Sequence, residues 1–203
     1  MDKKYELLGS DTITINGHKL HRIQALRDFG DVKKGNLGGY VESEHNLSHY
    51  GSCWIYDDAL VCGRSGIFDN AKIRGNAKVF NQSLVFGDAN VCDNATILNN
   101  ATVSDDASIC GNSIITDYAR VYGKAQVYSN ATVCGSAEIF DDATVCGDAK
   151  VGDDARIFEN AKISGGAKIS GVASIYGNVM ISGSIRIHNE DGAKTHDTLA
   201  IIC

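Results

Sequence analysis

The chain has 203 residues, seven cysteines, no proline and a formal net charge of −6. That is the size of one domain with terminal caps. The acidic balance offers no basic patch, so direct nucleic-acid binding is not expected. No apolar stretch reaches the roughly 18 residues of a membrane helix. Met1-Asp2-Lys3-Lys4 leads through Tyr5-Glu6-Leu7-Leu8 into Gly9 and polar residues, not into a signal-peptide core. The expectation is a cytoplasmic protein without membrane contact.

In chain order, Thr12-Ile13-Thr14-Ile15 and Lys19–Leu26 flank Asn16-Gly17. Asn-Gly between alternating strands is a strong hairpin signal. Residues 1–35 are therefore expected to form an N-terminal capping hairpin, and 36–49 an irregular early coil. From Tyr50 to Ile187 the chain is one hexapeptide repeated 23 times without a gap. Its sixth place is Val or Ile in all 23 copies, its fourth is Ala in 17, and its second and third are mostly Gly, Asp or Asn. Residues 188–203 lose the repeat and end in Leu199-Ala200-Ile201-Ile202-Cys203, read as a closing strand of a C-terminal cap.

A period of six is neither 3.6 nor 2, so it fits neither an amphipathic helix nor a hairpin sheet. It fits a short strand and a corner. The aliphatic residue and the Ala two places before it point inward. Gly, Asn and Asp form the corner, because they tolerate positive φ. Three hexapeptides close a coil of 18 residues, and a second periodicity supports this. At a spacing of 18, the first places are Tyr50, Phe68, Phe86, Ser104, Tyr122, Phe140, Phe158 and Tyr176, seven of eight aromatic. The other two columns are mixed, so one face in three has its own surface. About eight coils at about 4.8 Å each give a prism roughly 37 Å long.

This pattern resembles the left-handed parallel β-helix of the hexapeptide-repeat superfamily, and the left hand is implied by that resemblance alone. The expected fold is all-β: a triangular prism over 36–187 with an N-terminal hairpin cap. A second resemblance lies in Asp28-Phe29-Gly30-Asp31-Val32, Gly38-Gly39-Tyr40-Val41, Asn46-Leu47-Ser48 and Gly51-Ser52-Cys53-Trp54-Ile55-Tyr56. These look like the lead-in motif of bacterial and phage-borne hexapeptide-repeat proteins, labelled acyltransferase-like or polymer-forming on fold alone. The match spans about residues 22–187. It implies a fold and carries over no catalytic residue.

Many proteins of this superfamily transfer acyl groups from acetyl-CoA or acyl-carrier protein. They use a histidine base between the prisms of a trimer, often near a loop that interrupts the repeat. A base is needed because the acceptor loses a proton as it attacks the thioester. Here all six histidines lie outside the repeat: His18, His21, His45, His49, His188 and His196. No loop interrupts Tyr50–Ile187. His45 and His49, beside Glu42 and Glu44, are the remaining catalytic candidates.

The exterior offers binding candidates instead. The rings of Phe68, Phe86, Tyr122, Phe140, Phe158 and Tyr176 either stack on one another or form a contact face for a partner or a second copy. Between Lys78 and Arg120 there is no Lys or Arg, whereas Asp88, Asp93, Asp105, Asp106 and Asp117 fall there. Corner chemistry accounts for such Asp residues, and docking onto a basic surface is the sharper reading. Cys92 and Cys110, 18 apart, stack on adjacent coils and could bridge, but free thiols in a reducing cytosol are the expected state. No metal site and no cofactor are expected.

The preferred reading is a non-catalytic protein-interaction module. Its partner is another protein, itself through the aromatic face, or both. If the gene is phage-borne, the module would bind and inhibit a host defence protein. The alternatives are an acetyl-CoA-dependent acyltransferase with an end-of-prism site and a self-assembling structural protein.

Overall fold

The computed structural model describes residues 3–189, 194–195 and 200–201. Strand β1 (Tyr5–Ile15) and strand β2 (His18–Ala25) form the expected antiparallel hairpin. Asn16 and Gly17 both take positive φ at its turn. Strand β3 (Leu37–Val41) pairs antiparallel with β2 and parallel with the repeat strand Leu60–Val61. The hairpin thus extends one sheet of the prism. Residues 36–49 are less irregular than expected. They hold β3, a single 3-10 turn at Glu44–Asn46, and Leu47, which bridges Ile67 as part of a first coil.

From Trp54 onward each hexapeptide contributes one short strand, and the strands stack in parallel at a spacing of 18. Among the described residues three sheets result, of 11, 9 and 8 strands. The first runs through Leu60–Val61, the second through Trp54–Ile55 and the third through Gly66–Ile67. The protein is a parallel β-solenoid of about eight turns with a triangular section. Lys194–Thr195 and Ala200–Ile201 pair in parallel with Ser174–Ile175 and Met180–Ile181, so the ladder continues past Ile187. His196, Leu199, Ile202 and Cys203 lie outside the described residues. Among the described residues, no helix is long and apolar enough to cross a membrane.

Fourth-place Ala and sixth-place Val or Ile fill the prism, fully buried along most of its length. Three fourth places carry Ser instead. Ser65, Ser83 and Ser113 are buried, and each hydroxyl donates to a carbonyl within its own coil. That satisfies the polar atom that an Ala site would otherwise leave unpaired.

Every second-place residue of the repeat, 12 glycines and 11 others, takes a left-handed φ. Seven of those others are Asp and two Asn, residues that tolerate this region. Their carboxylates then perform a second task. Asp57, Asp69, Asp93, Asp105, Asp117 and Asp153 each accept the backbone N–H of the glycine one coil above. Gly87 shows how closely adjacent coils approach at this place. Its φ is +69°, and a Cβ there would meet the Asp105 backbone nitrogen at 2.7 Å. Gly87→Ala should therefore lower stability by about 1–3 kcal/mol. A thermal melt checks this, and an unchanged midpoint would show that the column tolerates a side chain.

Candidate functional site

The lead-in motif builds the N-terminal mouth of the prism. Amides of the first, third and fifth places donate to the following coil, as from Trp54, Tyr56 and Asp58 to Ala71, Ile73 and Gly75. The N-terminal end is consequently rich in outward carbonyls, and the cap supplies donors for them. Buried Lys4 donates from Nζ to Cys53 O at 2.9 Å, with Cys53 Sγ 3.2 Å away. Tyr5 Oη donates to Leu47 O, Asn46 Nδ2 to the carbonyls of Gly63 and Ser65, and Arg22 to those of Gly38 and Asp57. Burial, the largest influence on its ammonium, lowers the Lys4 pKa. Phe29 and Tyr5 pack edge-on to Trp54, and Val32 is buried with them. Tyr56 donates to Asp31, which also pairs with Lys72. Gly38 and Gly39 leave no room for a Cβ, which would lie 2.6 Å from Ile55 O and 2.4 Å from Ala59 O respectively. Each quoted piece of the motif is accounted for by the seal.

This frame also holds the two catalytic candidates. His49 stacks on Tyr5 at 4.4 Å, and its Nδ1 accepts the Lys4 amide, so the neutral ring carries its proton on Nε2. Nε2 is buried without a hydrogen-bond partner, 3.9 Å from Glu44 Oε2. Burial first, and the nearby lysines after it, lower the His49 pKa. His45 Nδ1 lies 2.6 Å from Ser43 Oγ, and Nε2 lies 3.1 Å from Gly63 O. Both rings are held by structural contacts, and neither has a nitrogen lone pair facing open solvent for an acceptor.

A different cluster lies where the hairpin meets the first coils. His18 Nδ1 lies 2.8 Å from Glu42 Oε1, and Glu42 Oε2 accepts the Gly63 N–H at 2.7 Å. His18, Glu42 and Cys62 bring one ligand atom each to within 4.8 Å of one another. Cys62 is buried among Leu20, Tyr40 and Leu60. Its thiol pKa is pushed up to about 11, chiefly by burial and then by Glu42. The hydrogen bond from His18 is the largest influence lowering the Glu42 pKa. No motif signals this grouping, because the three residues are 24 and 20 positions apart.

On the third sheet, Tyr122, Phe140, Phe158 and Tyr176 stack face to face, with centroids 4.8–5.0 Å apart. Beside them Arg120, Glu138 and Arg156 form an ion-pair ladder at 3.2 and 3.1 Å, and the two guanidiniums lie over the rings. This half of the column is satisfied within the chain. The other half is broken by Ser104, which is buried. There Phe86 is half-buried, while Phe68 and Leu84 remain 39% and 38% exposed and meet above Gly66. Of the acidic candidates, Asp105 and Asp117 are the inter-coil staples described above. Asp88 accepts from Asn70, and Asp106 is exposed at its corner.

The expectation of free thiols fails for one pair: Cys92 and Cys110 are disulfide-bonded across adjacent coils. Their Cα atoms are 4.7 Å apart because the ladder spacing superposes them. Cys53, Cys62, Cys134 and Cys146 are free.

Fold and repeat define a parallel β-solenoid with three-sheeted 18-residue coils. No family model matches the chain. Over 42 residues, 21% of this chain, it is 43% identical to the "Uncharacterized acetyltransferase YdcK" of Escherichia coli (strain K12). The match spans 13% of that protein's length. Coil, period and match are consistent with the hexapeptide-repeat superfamily.

Two outcomes follow. Unfolding lets His49 bind a proton below its ordinary pKa of 6.5, which the folded protein resists. The cap therefore loses stability as pH falls through that value. Denaturation followed by the fluorescence of Trp54, the sole tryptophan, should show a falling midpoint from about pH 7.5 to 5.5, and His49→Gln should flatten the trend. An equal fall in the variant would assign the effect elsewhere. Second, alkylation without reductant followed by peptide mass spectrometry should label Cys134 and Cys146 and spare Cys92 and Cys110. Labelling of all four would mean that the bond is absent in solution.

Proposed function

We propose that the prism is a non-catalytic scaffold that binds another protein through the N-terminal half of its third sheet. The exposed Phe68–Leu84 patch carries this reading, since it lies outside the self-stacked ring ladder. Contiguous apolar side chains left open on a rigid surface favour a partner. The corner that follows that sheet carries Asp69, Asp88, Asp105 and Asp106, the corner that precedes it carries Arg64, Gln82, Asn100 and Asp117, and no Lys or Arg lies between Lys78 and Arg120. The partner that fits is therefore a protein with an apolar anchor and basic residues along the side facing the first of these corners, and opposite charge steers its approach. Occupying such a surface blocks the partner without chemistry. The phage-borne resemblance makes inhibition of a host defence protein the narrower form of this reading.

Acyl transfer from acetyl-CoA is the second reading, favoured by the match to a protein named as an acetyltransferase. One experiment separates the two. Tagged protein is used for capture from host lysate beside Phe68→Asp/Leu84→Asp, and both are melted with and without millimolar acetyl-CoA. The interaction reading expects one stoichiometric, salt-sensitive protein, lost in the variant while far-UV circular dichroism is unchanged. Capture that survives the double substitution would overturn it, and a melting shift with acetyl-CoA would favour the transferase.

A further inference from the structure

We propose that His18, Glu42 and Cys62 form a binding site for Zn2+ at the junction of the hairpin and the first two coils. The three donors come from three separate elements. His18 opens β2 directly after the Asn16-Gly17 turn, Glu42 follows β3, and Cys62 follows the strand Leu60–Val61. Their ligand atoms already converge within 4.8 Å. A tetrahedral zinc ion with its usual bond lengths separates its ligand atoms by about 3.2–3.7 Å, so His18 and Glu42, now 2.8 Å apart, must part slightly and the widest separation, up to 4.8 Å, must close by about 1 Å. The donor set of one thiolate, one imidazole and one carboxylate suits zinc and excludes the oxygen-only preferences of Ca2+ and Mg2+. On binding, Cys62 gives its proton to solvent. The two anionic ligands then neutralise the dication and the imidazole stays neutral.

The surroundings hold these ligands in place. Glu42 Oε2 is fixed by the Gly63 N–H at 2.7 Å, which leaves Oε1 turned toward His18. Cys62 is held by its apolar neighbours Leu20, Tyr40 and Leu60. Such orienting contacts tune metal affinity by about 10–100-fold. A cavity of about 110 Å³ adjoins the cluster, lined by Ile15, Asn16, His18, Cys62, Phe80 and Asn81. It supplies space for a water as the fourth ligand. The ion would add a clamp between the turn end of the hairpin and the solenoid, beside the ladder and the contacts of Tyr5 and Arg22.

Co2+ is the probe, titrated into the full chain without reductant so that Cys92 and Cys110 stay bonded. Thiolate ligation gives a near-ultraviolet charge-transfer band. The band should saturate at one equivalent, vanish in Cys62→Ser and be displaced by Zn2+. His18→Ala, at an exposed position, should weaken Co2+ binding by at least the about 10–100-fold that loss of an orienting contact costs. Zn2+ should raise the melting temperature of the wild type and not of His18→Ala. No band in the wild type, a band that persists in Cys62→Ser, or unchanged affinity in His18→Ala would each overturn the site. The His18 variant decides the matter by itself if Cys62→Ser does not fold.

Discussion

Parallel stacking at a spacing of 18 gives the prism a chemical direction, and the rest of the structure answers to it. Three amides in every hexapeptide point toward the following coil and three carbonyls point back. One end is therefore acceptor-rich. A buried carbonyl without a donor costs about as much as a lost hydrogen bond. The cap is accordingly a collection of donors: the Lys4 ammonium, the Tyr5 hydroxyl, the Asn46 amide and the Arg22 guanidinium. A buried lysine, normally a costly group, is accommodated because its task is to cover carbonyls.

Corner chemistry explains most of the acidity. Left-handed φ at every second place selects Gly, Asp and Asn. The coil above then offers its N–H to the carboxylate, a contact worth about 1 kcal/mol each but repeated along the axis. Asp105 and Asp117 thus belong to the scaffold even where their free oxygens add to the surface potential. The same division runs through the aromatic column. From Tyr122 onward rings and guanidiniums satisfy one another, and only nearer the N-terminus does apolar surface remain open.

Much of the fold was legible in the residues, because one period decides which side chains point inward and how coils superpose. The column of rings followed from the same arithmetic. What the ladder does with its neighbours did not, since the covering of Phe140 and Phe158 by Arg156 depends on rotamers. His45 and His49 stood out as candidates by their position beside carboxylates. Their contacts to Ser43, Gly63, Lys4 and Tyr5 depend on how the cap folds back, which no spacing reveals. His18, Glu42 and Cys62 were invisible for the same reason: hairpin register and coil register must both be known before they meet. The Cys92–Cys110 superposition was legible, and its bonded state was set against compartment rather than geometry.

The donor-bearing seal has a consequence for biogenesis. A chain made from its N-terminus exposes Lys4, Phe29 and Trp54 before any later coil exists, so the acceptor-rich end can close first. Thereafter the growing edge always offers amides, and each newly synthesised 18 residues bring the matching carbonyls. The polarity of the ladder thus runs with the direction of translation, and one coil is its repeating unit.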